Sequence, residues 1–135
     1  MTKIFYIVRG LPSSGKSTVA SNIVGAENNI AADDYFYQLG NGEYAFDPTK
    51  LHLAHKWCYS TLETKMESGE PLLAVSNTST RESDVRSYYE LGAKWGYQVF
   101  VITVEKWHTS SNNHNVPVET MDRMESQLKQ SIKLR

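Results

Sequence analysis

The chain is poor in the features that mark secreted or membrane proteins. It has 135 residues and a single cysteine, Cys58, so no internal disulfide can form and a reducing compartment is expected. Hydrophobic residues make up 40% of the chain, yet no apolar run approaches the roughly 20 residues that a membrane helix needs. An excess of one charge is also missing. The formal net charge is −1, which counts against a broad basic surface for phosphate backbones and leaves room for a local basic patch. No group of Cys and His has the spacing of a structural zinc site. Met1-Thr2-Lys3 leads straight into a predicted strand, so no signal or transit peptide is expected. There is no repeat, low-complexity tract or linker. The expectation is one cytoplasmic domain over 1–135, long enough to bury a real core, with its oligomeric state left open.

What is present begins at residue 10. Gly10-Leu11-Pro12-Ser13-Ser14-Gly15-Lys16-Ser17 reads G-x-x-x-x-G-K-S, the Walker A or P-loop pattern. Its glycines let the backbone curl so that successive N–H groups point at phosphate oxygens, Lys16 reaches the terminal phosphates, and the Ser17 hydroxyl can ligate Mg²⁺. With Thr18 these residues are the candidate ATP-binding set. The context agrees. Ile4-Phe5-Tyr6-Ile7-Val8 is a continuous apolar run, as in a strand buried on both faces. Apolar residues at 19, 20, 23 and 24 follow helical spacing, and Gly25 is a stop. Strand, loop and helix thus occur in order, and the helix N-terminus adds its partial positive charge to the anion site.

Strand and helix alternate along the rest of the chain, which predicts an α/β fold with a parallel sheet of about four strands, flanking helices and a short lid. Strand one is placed at 3–9 and helix one at 16–24. A short second strand ends near Asn29-Ile30-Ala31-Ala32. Residues 37–47 read as loop. Asp47-Pro48 reads as an N-cap followed by a first-turn proline, opening a helix whose stripe is Leu51, Ala54, Cys58, Leu62 and Met66. Pro71–Val75 is a third strand. Ser79-Thr80-Arg81-Glu82 has capping-box spacing and opens a helix with Val85, Tyr88 and Tyr89 inward, stopped at Gly96. Residues 97–104 form the fourth strand, 105–116 a polar lid, and Pro117 starts a last helix with Met121, Met124, Leu128 and Ile132 on one side.

Ligands of open α/β sheets bind outside the carboxyl ends of the strands. There lie the P-loop, Asp33-Asp34 and Ser76-Asn77-Thr78. A carboxylate closing the second strand would face the γ-phosphate and take a proton from an attacking hydroxyl. The expected division of the pair is one catalytic carboxylate and one that caps a turn. Asn77 is either a neutral site contact or the start of an Asx-type turn. His55 stands one step off the helical stripe, as a substrate contact or an ordinary boundary residue. Lys106, His108 and His114 are the cations of a lid that carries no arginine. Tyr35, Tyr37, Tyr44 and Phe46 either pack their loop onto the sheet or offer a surface for a base.

Together these segments resemble the P-loop kinases of the polynucleotide-kinase type. The nearer branches are the bacteriophage 5′-hydroxyl polynucleotide kinase domain and, closer still, the kinase-like module of eukaryotic proteins that carry a small MutS-related (Smr) domain. The resemblance rests on Arg9 through Thr18, Asp33-Asp34-Tyr35-Phe36, Gly42 through Pro48 with Leu51, Ala54-His55 and Cys58, Asn77 through Thr80, Gly96 through Val99, and His114 through Pro117. It implies an ATP-dependent, Mg²⁺-assisted transferase. Lys16 would hold the donor phosphates, Ser17 the metal, and Asp33 would be the general base. The acceptor would be a nucleic-acid 5′-hydroxyl or a nucleoside-like molecule, with Asp34, His55, Asn77, Lys106 and His114 as candidate acceptor or lid contacts. Asn77 stands where the phage-type enzymes have an aspartate. Phe36 stands where they have an arginine that grips the acceptor phosphate, Ser111 where the lid arginine is expected, and Ser13 where glycine is usual. Two further expectations stay open: an ATP-binding module with little transfer, and a small-molecule kinase.

Overall fold

The computed structural model describes residues 2–11, 14–79, 81–105 and 123–124. Four parallel strands form one sheet: β1 (Ile4–Gly10), β2 (Asn29–Ile30), β3 (Leu72–Asn77) and β4 (Gln98–Val104), in the order β2-β3-β1-β4. The hydrophobic strand β1 is central, as its two-sided burial requires. It pairs Phe5 with Leu73 and Val99, and Arg9 with Asn77 and Thr103. β2 is short and pairs Asn29 with Ala74 and Ile30 with Val75. This is the four-stranded parallel sheet with flanking helices that the alternating pattern predicts.

Side chains of alternate residues reach opposite faces of the sheet. Val8 and Ala74 meet Ala20 and Val24 of α1 (Lys16–Val24) on one face. Phe5, Ile7, Leu73 and Val75 meet α3 (Leu51–Glu67) and α4 (Glu82–Lys94) on the other. α3 buries Ala54, Cys58, Leu62 and Met66, one stripe at helical spacing. Burial pushes the Cys58 thiol up to about 11, so it is protonated and inert.

Several boundaries differ from the sequence expectation. Asp33–Leu39 is a helix, α2, where residues 37–47 read as loop, and only the chain beyond Gly40 turns. Leu51 is exposed, because Asp47 caps a single 3-10 turn, Pro48–Lys50, that sets α3 one turn further on. Tyr89 is also exposed, since α4 presents Val85, Tyr88 and Leu91 to the sheet. The α4 cap lies two residues later than the predicted box: the Arg81 N–H donates to Asp84 Oδ2 at 3.2 Å. Pro12, Ser13, Lys106, His108, Ser111 and His114 lie outside the described residues. So does the expected C-terminal helix, apart from Arg123 and Met124, which are helical.

Candidate phosphate and acceptor site

The ends of β1, β2 and β3 converge on one rim of the sheet. β1 runs into the P-loop, tied to the neighbouring strand by the Gly10 N–H donating to Thr78 O at 3.3 Å. A Cβ at Gly10 would stand 2.7 Å from both Ser14 Oγ and Val104 O, so only glycine allows the loop to leave the strand here. Gly15 takes φ 93° as the N-cap of α1, a conformation that favours glycine, and turns the following N–H groups inward. Space around Gly15 is open, and the buried Ser14 hydroxyl has no hydrogen-bond partner. A buried hydroxyl without a partner just before the N-terminus of α1 fits a phosphate site. Lys16 Nζ donates to Leu11 O at 3.3 Å and so lies folded along the loop. Burial lowers its pKa, and the negative charge of Asp33 opposes that shift.

Asn29 is the hub between the loop helix and the sheet. Its Nδ2 lies 3.4 Å from Ser17 Oγ and 3.2 Å from Ser21 Oγ, and Ser76 donates to its Oδ1 at 2.9 Å. Ser17 is thereby oriented while it stays exposed. Among the described residues no three His, Cys, Asp or Glu side chains cluster as a metal cage. A single serine hydroxyl suits Mg²⁺, which takes most of its remaining ligands from phosphates and water.

The two aspartates open α2 and face different surroundings. Asp34 Oδ2 accepts from the Ala31 N–H at 3.0 Å and closes the turn before the helix. Burial, and secondarily the charge of Asp33, raises its pKa, while the Ala31 hydrogen bond opposes this. Asp33 Oδ1 accepts from the Tyr44 hydroxyl at 3.2 Å and acts electrostatically on Lys16. Asn77 is buried, and its Oδ1 accepts the Ala32 N–H at 2.8 Å. Its Nδ2 reaches Tyr88 Oη at 3.5 Å and Cys58 Sγ at 3.7 Å. Asn77 therefore fixes the backbone that carries Asp33 rather than reaching into the open site. His55 lies on the exposed side of α3.

Three participants escaped the sequence reading. Asn29 looked like a strand end, and Tyr44 like one aromatic among several. Arg9, near the end of β1, is fully buried; burial lowers its pKa and Asp84 opposes the shift. Asn at a strand end next to a P-loop was the one available signal. Phe36, where the resemblance expects an acceptor-gripping arginine, is fully buried and packs its ring against Tyr35, Tyr44 and Phe46.

A family model described as an AAA domain (AAA_33) matches residues 5–130. The chain belongs to this AAA domain family. Human NEDD4-binding protein 2 is 30% identical over 133 residues, an alignment covering 90% of this chain and 7% of that protein. The chain thus spans a small part of its curated relative. Among solved structures, the AvrRxo1-ORF1:-ORF2 complex with ATP superposes with a TM-score of 0.67 at 13% identity, over 95% of this chain and 48% of that one. A chain of the Pnkp1/Rnl/Hen1 RNA repair complex gives 0.59 at 17% identity, over 99% and 40%. At these identities the likeness is one of fold. Among the described residues no helix is long and apolar enough to cross a membrane.

Proposed function

We propose that the chain is an ATP-dependent phosphotransferase acting on a hydroxyl, borne by a nucleic-acid end or a nucleoside-like molecule. The observation that carries this is the placing of Lys16 and Asp33 on the same rim of the sheet, with Lys16 Nζ on Leu11 O of the P-loop and Asp33 opening α2 beside it. They come from the ends of different strands, yet Asp33 acts on the Lys16 ammonium at the mouth of the P-loop. A cation for the donor and a carboxylate for the acceptor are the parts phosphoryl transfer asks of a protein. The fold shared with an ATP-bound complex and a chain of an RNA repair complex adds support.

In this mechanism the residues of 10–18 cradle the donor phosphates, and Lys16 turns from Leu11 O to the β- and γ-oxygens. Ser17 would hold Mg²⁺, which when bound would neutralise phosphate charge. Asp33 accepts the acceptor's hydroxyl proton. The acceptor oxygen bonds to the γ-phosphorus as the bond to the β,γ-bridging oxygen breaks, and ADP leaves with that electron pair. Asn77 and Asp34 position Asp33 by holding Ala32 and Ala31. The test is Asp33→Asn. Transfer should fall roughly 10²–10⁴-fold, while ATP affinity stays within a factor of a few. Undiminished transfer would remove Asp33 as the base.

A further inference from the structure

The chain from Tyr35 to Phe46 is unusual in what it shows to solvent. Phe36 is fully buried in the core, and Tyr35 and Tyr44 pack partly buried against that core. Tyr37 and Phe46 are 43% and 51% exposed, so both rings offer surface to solvent. Tyr44 and Phe46 lie nearly parallel, with centroids 6.2 Å apart and planes at 7°, and Tyr37 meets Tyr44 at 5.2 Å. A tight turn holds the rings in place. The Gly42 N–H donates to Tyr37 O at 2.8 Å, and the Ala45 N–H to Phe36 O at 3.1 Å. Tyr44 continues the ledge into the candidate site, since its hydroxyl donates to Asp33 Oδ1. Burial and the Asp33 charge raise its pKa, so the phenol stays a donor. The segment 33–46 holds no lysine or arginine and three acids, Asp33, Asp34 and Glu43. Asp34 is turned inward to the Ala31 N–H, so Asp33 and the exposed Glu43 are the charges this segment presents, which disfavours a phosphate and suits an uncharged ring.

We propose that this ledge is the acceptor subsite and takes a nucleobase stacked on Phe46 and Tyr44. The inference rests on the phosphotransferase reading above. Tyr44 links the two ends of the ledge, its ring parallel to Phe46 and its hydroxyl on Asp33, so the sugar of a base stacked there would carry the hydroxyl towards the carboxylate. Stacking tolerates any base, because every base has a π-face. A 5′-hydroxyl end brings no charge to the acidic side, whereas a 5′-phosphate does.

The test compares wild type with Phe46→Ala and Phe46→Trp on three acceptors under saturating ATP. They are adenosine, a 5′-hydroxyl tetrathymidylate, and the same oligonucleotide with an abasic first sugar. The abasic acceptor should show a KM roughly ten- to a hundredfold higher. Phe46→Ala should raise KM by a similar factor for the two base-bearing acceptors only, with the KM for ATP unchanged, and Phe46→Trp should restore it. Comparable KM for adenosine and the oligonucleotide identifies a nucleoside acceptor, and a much lower KM for the oligonucleotide identifies a nucleic-acid end; both are base recognition by the ledge. Equal KM for abasic and base-bearing ends, or no effect of Phe46→Ala, overturns the ledge and leaves the phosphotransferase standing. If no acceptor is phosphorylated, calorimetry with adenosine and a non-hydrolysable ATP analogue still decides. Binding weakened by Phe46→Ala supports the subsite, and no binding to wild type overturns it.

Discussion

Asp33 and Asp34 are neighbours in sequence, and their surroundings pull them apart. Asp34 is turned inward to the Ala31 N–H, and burial raises its pKa. A carboxyl whose folded pKa lies above its unfolded value favours the folded state while protonated. That contribution is complete below the unfolded pKa and is lost as pH rises through the folded one. Asparagine can accept the same N–H through Oδ1 and carries no charge. Asp34→Asn should therefore melt close to wild type near pH 3 and above it near pH 7, read from thermal unfolding at the two pH values. A deficit that grows towards neutral pH would contradict the assigned role. The charged form of Asp34 is thus a burden to the fold, whereas Asp33 accepts from the Tyr44 hydroxyl and its charge favours the Lys16 ammonium.

The element that carries Asp33 is α2 with the turn after it, and here sequence and structure diverge most. β1, the P-loop and α1 were legible because their residues satisfy local rules: an apolar run, a Gly-rich loop, then helical spacing at 19, 20, 23 and 24. α2 was hidden. Tyr35-Phe36-Tyr37 shows no helical period, and the glycines at 40 and 42 gave the whole window the look of a loop. The helix persists because Phe36 is pulled into the core between α3 and the turn, a long-range cause no local pattern records. Asn77 was equally opaque, since its partners lie at 32, 58 and 88. Candidate residues were found by type, and their division of labour needed the structure. The turn makes its own prediction. A Cβ at Gly40 would sit 1.9 Å from Glu43 O, a backbone atom that cannot yield without opening the turn. Gly40→Ala should cost about 1–3 kcal/mol in denaturant unfolding and loosen the Tyr44–Asp33 contact, lowering transfer more than ATP binding. An unchanged unfolding midpoint would contradict the packing described.

At the scale of the molecule, a parallel sheet with β1 at its centre places three loops on one rim, and that arrangement makes a site from residues far apart in sequence. In the proposed site the donor half would be the P-loop, Asn29 and the α1 terminus, and the acceptor half would be α2 and its aromatic turn, braced from β3 by Asn77. The low net charge of the chain fits an acceptor held by rings more than by phosphates. The central claim is that the two halves form one transfer site, and γ-labelled ATP tests it most directly. Incubated with the protein, Mg²⁺ and a 5′-hydroxyl nucleoside or oligonucleotide, the label should appear on the acceptor hydroxyl, one phosphate per molecule. Tight ATP binding with no label on any acceptor, or release of the label only as inorganic phosphate, would contradict it.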